Sequence, residues 1–571
     1  MISVSNISSF LIKGAAFAPK QKVLLQHLSA MADAFKDEAF RKTTVETLMS
    51  LANPAGIIPE AYREYRRIVN DGLLFFLSKL SPQRLMGIVA NQTVMPDQSC
   101  GAERLLCLAK SSPTLHKLGQ IIARNKHIDP EIRNWFVPLE NGHYGTNPET
   151  IRLHIEQQIQ AEKDWFSIRL GTGILSEASV GAVLPFCWRD PESGGNRKGV
   201  FKVLKPDVRE LLSEERQVLE DLAAYLQLNA RRYGLNEFNY VELFQNIRDA
   251  LAEEINLLGE QSHLWDAFRF YQDTSEVLIP ELAPFSNHAV TAMSFLDGEK
   301  VTEARLPETA RKTCAKRLFN SLILKPIFSR SASAIFHGDP HAGNILAAYD
   351  EKSGKTSIAL VDWSLAGHLS KPQRIGILQL IQSVIKGETS LICRSIVGLT
   401  TPDATQPAIE IPSGLAAKVS ELIRSPEYGR ANLVHKAFRL VDIAARHGIL
   451  FHSNLLLFRK SLFTLEGILN ELDPNYDIDD MMVKYLAVLL IEELPRRFGC
   501  LLFPGFDTPE NFRSLMSNKD LQCIFLYHAI EILKSGVNLL REIIQKHFPM
   551  AAADTFPSFF NFPKIPSSTT A

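Results

Sequence analysis

The chain carries no excess of charge of either sign: 62 Lys and Arg stand against 63 Asp and Glu, a formal net charge of -1. A nucleic-acid partner usually requires a basic excess, so none is expected. Long apolar runs are also lacking. The run at residues 485–491 is bounded by Lys484 and Glu492, whereas a bilayer-spanning helix needs about 20 apolar residues. Cysteine is sparse. The 7 cysteines are odd in number and none has CxxC spacing, which argues against a disulfide framework or zinc site and for free thiols in a reducing compartment. The first residues have no basic stretch ahead of an apolar core, so a secretory leader is not expected. Their serine content, with no acid before Asp33, is a faint organelle-targeting signature that the lack of Arg before Arg41 weakens. The location expected is cytoplasmic, with any membrane contact peripheral. Finally, there is no GxGxxG phosphate loop, no internal repeat and no coiled-coil heptad.

What is present is an ordinary globular composition, 46% hydrophobic and 22% charged over 571 residues, long enough to bury a sizeable core. Residues 21 to about 110 read as helices. Apolar residues recur at helical spacing at 23–25, Leu28, Met31 and Phe35, and again at Leu73, Leu74, Phe76, Leu77 and Leu80. Near Gly171 the texture changes to short β-type runs, with 181–188 and 199–203 joined by the turn-rich stretch 190–196. A long helical stretch is expected over 206–270, a strand pair at 277–279 and 289–293, and helix over 303–335. A second hairpin is expected from 344–348 and 357–362, then helix from 370 to 547 and a loose Pro/Ser/Thr-rich tail. The fold class is α+β, a two-lobed protein-kinase-like fold with helical extensions at both ends. The divisions are a helical extension at 1–165, an N-lobe with inserted helices at 166–298, a helical C-lobe at 299–550 and a tail at 551–571. Nucleotide is expected in the cleft between the lobes.

The chemistry concentrates in His337-Gly-Asp-Pro-His-Ala-Gly-Asn344 and Asp362. Phosphoryl transfer requires positioning, cancelled charge and a carboxylate near the attacking oxygen. Asp339 can orient or deprotonate a nucleophile. Asn344 and Asp362, at the two ends of a hairpin, offer hard oxygens suited to Mg²⁺. His341 is read as a loop residue bonded to backbone. Lys202, in Gly199-Val-Phe-Lys-Val203, has the one-lysine apolar strand that brings an ammonium to the α/β-phosphates. A helical carboxylate, Glu260, is the candidate to orient it. In place of a glycine loop stands Ser176-Glu-Ala-Ser-Val-Gly-Ala182. Its backbone N–H groups could cradle phosphate, although Ala restricts positive φ and Glu177 would repel phosphate.

These pieces together resemble the UbiB/AarF-type atypical kinases. Lys117-Leu-Gly-Gln120 matches that family's KxGQ motif, and residues 176–183 are similar to its alanine-rich loop. Phe201-Lys-Val-Leu-Lys-Pro206 resembles its lysine strand, Glu254-Ile-Asn256 with Glu260 its acidic helix, and residues 280–298 its strand and hinge. Residues 336–344 and 464–474 resemble two further motifs, so the likeness spans about 110–480. It implies Ala178, Ser179, Val180, Lys202 and Met293 as nucleotide contacts, with ATP and Mg²⁺ as cofactors. It implies Lys117, Gln120 and Glu254 as regulatory residues, with Lys117 and Gln120 over the active site. It also implies ATPase or unorthodox kinase activity in ubiquinone or other isoprenoid-lipid metabolism, with a lipid or lipid-biosynthesis proteins as partners. Departures are Asp362-Trp-Ser364 for Asp-Phe-Gly, and Asn256 for the second acid of ExD, which would weaken an ionic lock to Lys117. The alternatives are a small-molecule phosphotransferase of the aminoglycoside or choline kinase type, which lacks a counterpart of Lys117–Gln120, and a nucleotide-binding pseudokinase.

Overall fold

The computed structural model describes residues 32–96, 99–124, 129–141, 146–235, 239–400 and 414–523. The helical readings at 21–31 and 524–547 and the tail lie outside the described residues. The architecture is α+β, helix-rich with small antiparallel sheets. The chain forms two compact units. One holds residues up to Lys300 with Asn344–Ala348 and Ser357–Ala366; the other holds Val301–Gly343, Tyr349–Thr356 and the remainder from Gly367.

In the first unit, helices Glu38–Ala52, Arg66–Lys79, Pro82–Val94, Gly101–Lys110 and Pro113–Arg124 stack on helices Val208–Leu228 and Tyr240–Glu254. The apolar stripe expected at 73–80 does what its spacing requires: Phe76, Leu77 and Leu80 are buried in a core with Leu219, Leu222 and Ile247. Glu215, fully buried on Val208–Leu228, ties the stack together. It accepts from Arg84 Nη2 at 2.5 Å and from the backbone N–H of Thr114 at 2.9 Å. The second bond satisfies an otherwise orphaned donor at the start of the helix carrying Lys117.

The main sheet of this unit is antiparallel, with Gly181–Arg189 beside Asn196–Leu204 and that beside Val290–Ser294. Phe201 and Val203 point into an apolar core with Leu184, Phe186 and Ala292. The period of two therefore turns Lys202 to the opposite face, in register with Val183 and Thr291.

The helical stretch expected over 206–270 is built of Val208–Leu228, Ala230–Tyr233, Tyr240–Glu254 and Leu257–Tyr271. Gly234 at φ +71° and the N-cap side chains of Asn239 and Asn256 punctuate it. Residues 277–279 do not form a strand pair with 289–293; Leu278 bridges Ala359, its N–H donating to Ile358 O at 2.7 Å.

In the second unit, helix Glu308–Phe319 runs into a π turn at Asn320–Leu324 and then Lys325–Ile327. Residues 333–337 form a strand, not the end of a helix, because β-branched and aromatic Ile335 and Phe336 pair against Ala366–Ser370. Helices Lys371–Lys386, Leu433–Arg446, Ser453–Leu472 and Ile478–Leu502 follow. A Ser370/Gln373 capping box starts the first of them and Gly387, at φ +69°, stops it.

Candidate active site

The strand that turns Lys202 out of the apolar core delivers its ammonium to two carboxylates. Nζ lies 2.7 Å from Glu260 Oε1, on the first turn of helix Leu257–Tyr271, and 2.9 Å from Asp362 Oδ1. Asp362 sits just past strand Lys355–Leu360, at φ +59°, a left-handed conformation that Asp tolerates better than most residues. Its Oδ1 also accepts from the N–H of Ser364 at 3.2 Å. Trp363 is buried, its indole donating to Leu360 O at 3.2 Å, while its carbonyl meets His263. The side chain thus closes the turn without a glycine. Asn344 joins the same unit, its carbonyl accepting from Val361 N–H at 2.9 Å.

The charges in this cluster set one another. Burial works against the Lys202 cation, but Asp362 and Glu260 outweigh it and hold the ammonium above its usual range. Burial would also raise Asp362; Lys202 overrides it and holds that carboxylate well below its usual range. For Glu260 burial prevails, pushing the carboxyl up against the pull of Lys202. Glu260 Oε2 is buried with no hydrogen-bond partner, while the Asp362 side chain remains 40% exposed. The cluster can therefore offer Asp362 to a ligand while Glu260 serves from behind.

The loop above the lysine strand is stitched from both sides. Ala178 N–H donates to Gly181 O, and Lys205 N–H to Val180 O, both at 2.8 Å. Ser179 Oγ donates to Glu254 Oε2 at 2.9 Å, and Lys117 pairs with the other oxygen of the same carboxylate. Lys117 therefore pairs with Glu254, while Asn256, standing where the second acid is expected, caps the next helix by accepting from Gly259 N–H at 3.0 Å. Glu177, read from the sequence as repelling phosphate, has its side chain buried, held by Lys205 at 2.9 Å and by the Thr146 hydroxyl. Burial of Val180 in the helical core leaves it only backbone to offer a ligand. Met293, opposite Val200, is likewise buried, whereas Ala178 is exposed. Lys117 and Gln120 part company: Gln120 Nε2 donates to Leu139 O at 3.0 Å. Gly119 between them allows that close approach, since a Cβ there would lie 2.3 Å from Leu139 Cδ1.

In the second unit, the segment after strand Ser333–His337 is held by its own side chains. His337 Nδ1 accepts from Asp339 N–H at 3.2 Å, and His337 O accepts from Ser461 Oγ at 2.7 Å. His341, as read from the sequence, bonds backbone, Nδ1 accepting from Gly343 N–H at 3.0 Å. Asp339 Oδ1 lies 3.4 Å from Lys460 Nζ.

Residues 189–396 match the ABC1 atypical kinase-like domain and residues 437–477 the UbiB helical domain. Over these stretches the chain is similar to ABC1 and UbiB proteins. A protein named probable protein kinase UbiB from Xylella fastidiosa (strain 9a5c) is 24% identical over 434 residues, covering 72% of this chain and 75% of that one. Its namesake from Xanthomonas campestris pv. campestris (strain B100) is 24% identical over 414 residues, covering 70% and 72%. A solved structure, the Rv3197–erythromycin complex from Mycobacterium tuberculosis, aligns at 14% identity and TM-score 0.38, over 65% of this chain and 87% of that one.

Within the kinase-like domain, sequence reasoning named Lys202, Glu260 and Asp362, and the first unit brings them together. It missed three residues. Lys205 was visible in the quoted strand motif, and Lys460 and Ser461 on Ser453–Leu472 lie just ahead of the 464–474 motif. Nothing in the local pattern says that these side chains face Glu177, Asp339 and His337. No helix among the described residues is long and apolar enough to cross a membrane.

Proposed function

We propose that the chain binds ATP with Mg²⁺ and transfers or hydrolyses the terminal phosphoryl group. In this reading it is a UbiB-type atypical kinase or ATPase serving ubiquinone or other isoprenoid-lipid metabolism. The observation that carries the reading is the Lys202 ammonium, bonded at 2.7 Å to Glu260 and at 2.9 Å to Asp362. A buried lysine held charged by a helix carboxylate is suited to the α/β-phosphates. The donor set suits the metal: Asp362, still partly open, and Asn344 would hold Mg²⁺ with oxygen ligands. When bound, that ion supplies charge cancellation at the phosphates. The chain's own groups do the rest. Glu260 keeps Lys202 aimed, loop 178–181 offers backbone N–H groups, and Asp339 orients the attacking hydroxyl or water and accepts its proton. Lipid-biosynthesis partners and peripheral membrane contact belong to the same proposal.

The test is Mg·ATP binding and turnover by the full chain, with lipids, small alcohols and proteins compared as acceptors. Asp362→Asn removes the charge at the ion and should weaken Mg·ATP at least about tenfold, with little effect on nucleotide in EDTA. Unchanged Mg·ATP affinity would overturn the assignment. Phosphorylation of a small alcohol faster than ATP hydrolysis would favour a small-molecule phosphotransferase.

A further inference from the structure

Far along the chain from these residues, in the second unit, helix Ile478–Leu502 and helix Glu308–Phe319 border a hollow of about 230 Å³. Its apolar surface comes from Met481, Tyr485, Val488 and Leu489. The Tyr485 ring is set by stacking on Phe328, centroids 5.8 Å apart. Asn320 stands on the wall where the helix opens into its π turn, an irregularity that costs regular hydrogen bonding and recurs at functional sites. Three cations, Lys316, Lys484 and Arg513, share the lining with one carboxylate, Glu492. Lys484 pairs with Asp480 at 2.6 Å and Arg513 with Glu492 at 3.4 Å, both pairs solvent-accessible and hence weak and exchangeable. No ion pair engages Lys316 among the described residues, so the rim keeps one positive charge in excess.

We propose that this hollow binds a small amphiphilic anion. A phosphate or carboxylate head is held by Lys316, Lys484 and Arg513, and a short aliphatic body lies against Met481, Tyr485 and Leu489. Apolar walls with a few convergent charged groups are what such a ligand requires. An incoming anion displaces Asp480 and Glu492 from cations they hold only loosely. A purely apolar ligand leaves the rim unused, and inorganic phosphate leaves the walls unused. The volume admits one short chain, which favours a monomeric amphiphile over a bilayer. The site is separate in sequence from Lys202, Glu260 and Asp362, and it stands whether or not the phosphoryl-transfer reading does.

Calorimetric titration of the full chain with decyl phosphate below its micellar concentration tests this without nucleotide. Saturable one-to-one binding is expected, at least tenfold tighter than 1-decanol or inorganic phosphate. Lys316→Glu and Val488→Trp, both at exposed positions, should each weaken it tenfold or more. In Val488→Cys, peptide mapping of maleimide labelling should show an open thiol that decyl phosphate protects. Absence of saturable binding, unchanged affinity in both variants, or a Val488→Cys thiol already protected without ligand would overturn the proposal. So would binding confined to phosphatidylglycerol vesicles and insensitive to Lys316→Glu, which would make this face a membrane surface.

Discussion

Removing the Lys202 ammonium would strand two acids. Glu260 is almost fully buried, one of its oxygens has no hydrogen-bond partner among the described residues, and Lys202 is the cation paired with it. Breaking a buried pair from one side costs about 3 kcal/mol or more, because the remaining charge is left without compensation. Lys202→Ala should therefore lower stability by about 3 kcal/mol as well as weaken nucleotide binding. Lys202→Met combined with Glu260→Leu should recover most of that stability but none of the binding. Urea unfolding of the two variants separates the two effects; equal destabilisation by the single and the double variant would refute the coupling. The chemical type of these residues is legible in a linear sequence, since a lone Lys in an apolar strand and an Asp after a hairpin are unusual. Their partners are less so. Glu177 and Glu254 look alike in sequence, yet one is buried against Lys205 while the other joins Lys117 to Ser179.

At the scale of elements, helix Pro113–Arg124 shows how the Lys117–Gln120 segment is held. Its start is satisfied by Glu215 and its contact with the 130–141 segment includes His116 and Gln120, both reaching Leu139 O. Burial pushes the His116 imidazole down to about 4. In the unfolded chain it takes up its proton near pH 6.5. Between these values the folded state binds fewer protons, so this contribution to stability is complete above about pH 6.5 and is lost as the pH falls towards about 4. At pH 5 the loss amounts to about 2 kcal/mol. His116→Gln should flatten this part of the acid limb, as measured by urea unfolding at pH 7 and pH 5; an unchanged difference between the two pH values would show that His116 is not the group responsible. Sequence periodicity marked the helices up to about residue 110, but the punctuated run at 206–270 shows its limit. The apolar spacing continues across Gly234 and Asn256, and only the cap side chains, bonded to backbone, reveal that the helix has ended and restarted.

At the scale of the whole molecule, near-balanced charge carries a consequence of its own. With a net charge of -1 and a sequence pI of about 7.0, self-repulsion is smallest near neutrality. Helix Ile478–Leu502 and the residues after it meanwhile leave Ile491, Phe498, Leu501, Leu502, Phe503 and Phe506 exposed among the described residues, and exposed apolar side chains in number promote association. Solubility should pass through a minimum near pH 7 and rise on either side. Phe498→Lys with Leu502→Lys should raise it there by adding charge and removing apolar surface. Light scattering across pH 5.5–8.5 checks both expectations, and a flat profile shared by wild type and variant would contradict them.

By itself, the sequence determined the order of helical and strand-rich segments and the hairpin that ends near Asp362. It also determined which residue types could handle a phosphate or a divalent ion, because periodicity and chemical type are local properties. Tertiary structure alone decided what those residues do to one another. The pairing of strand Asn196–Leu204 with its neighbours turns Lys202 away from Phe201 and Val203, and the return of Asp362 from about 160 residues downstream supplies its second carboxylate. Two carboxylates hold Lys202 charged against its burial, and folding hides Glu177 in an ion pair with Lys205. Charge balance in a buried cluster depends on distance and desolvation, and neither is written in the spacing of residues along the chain.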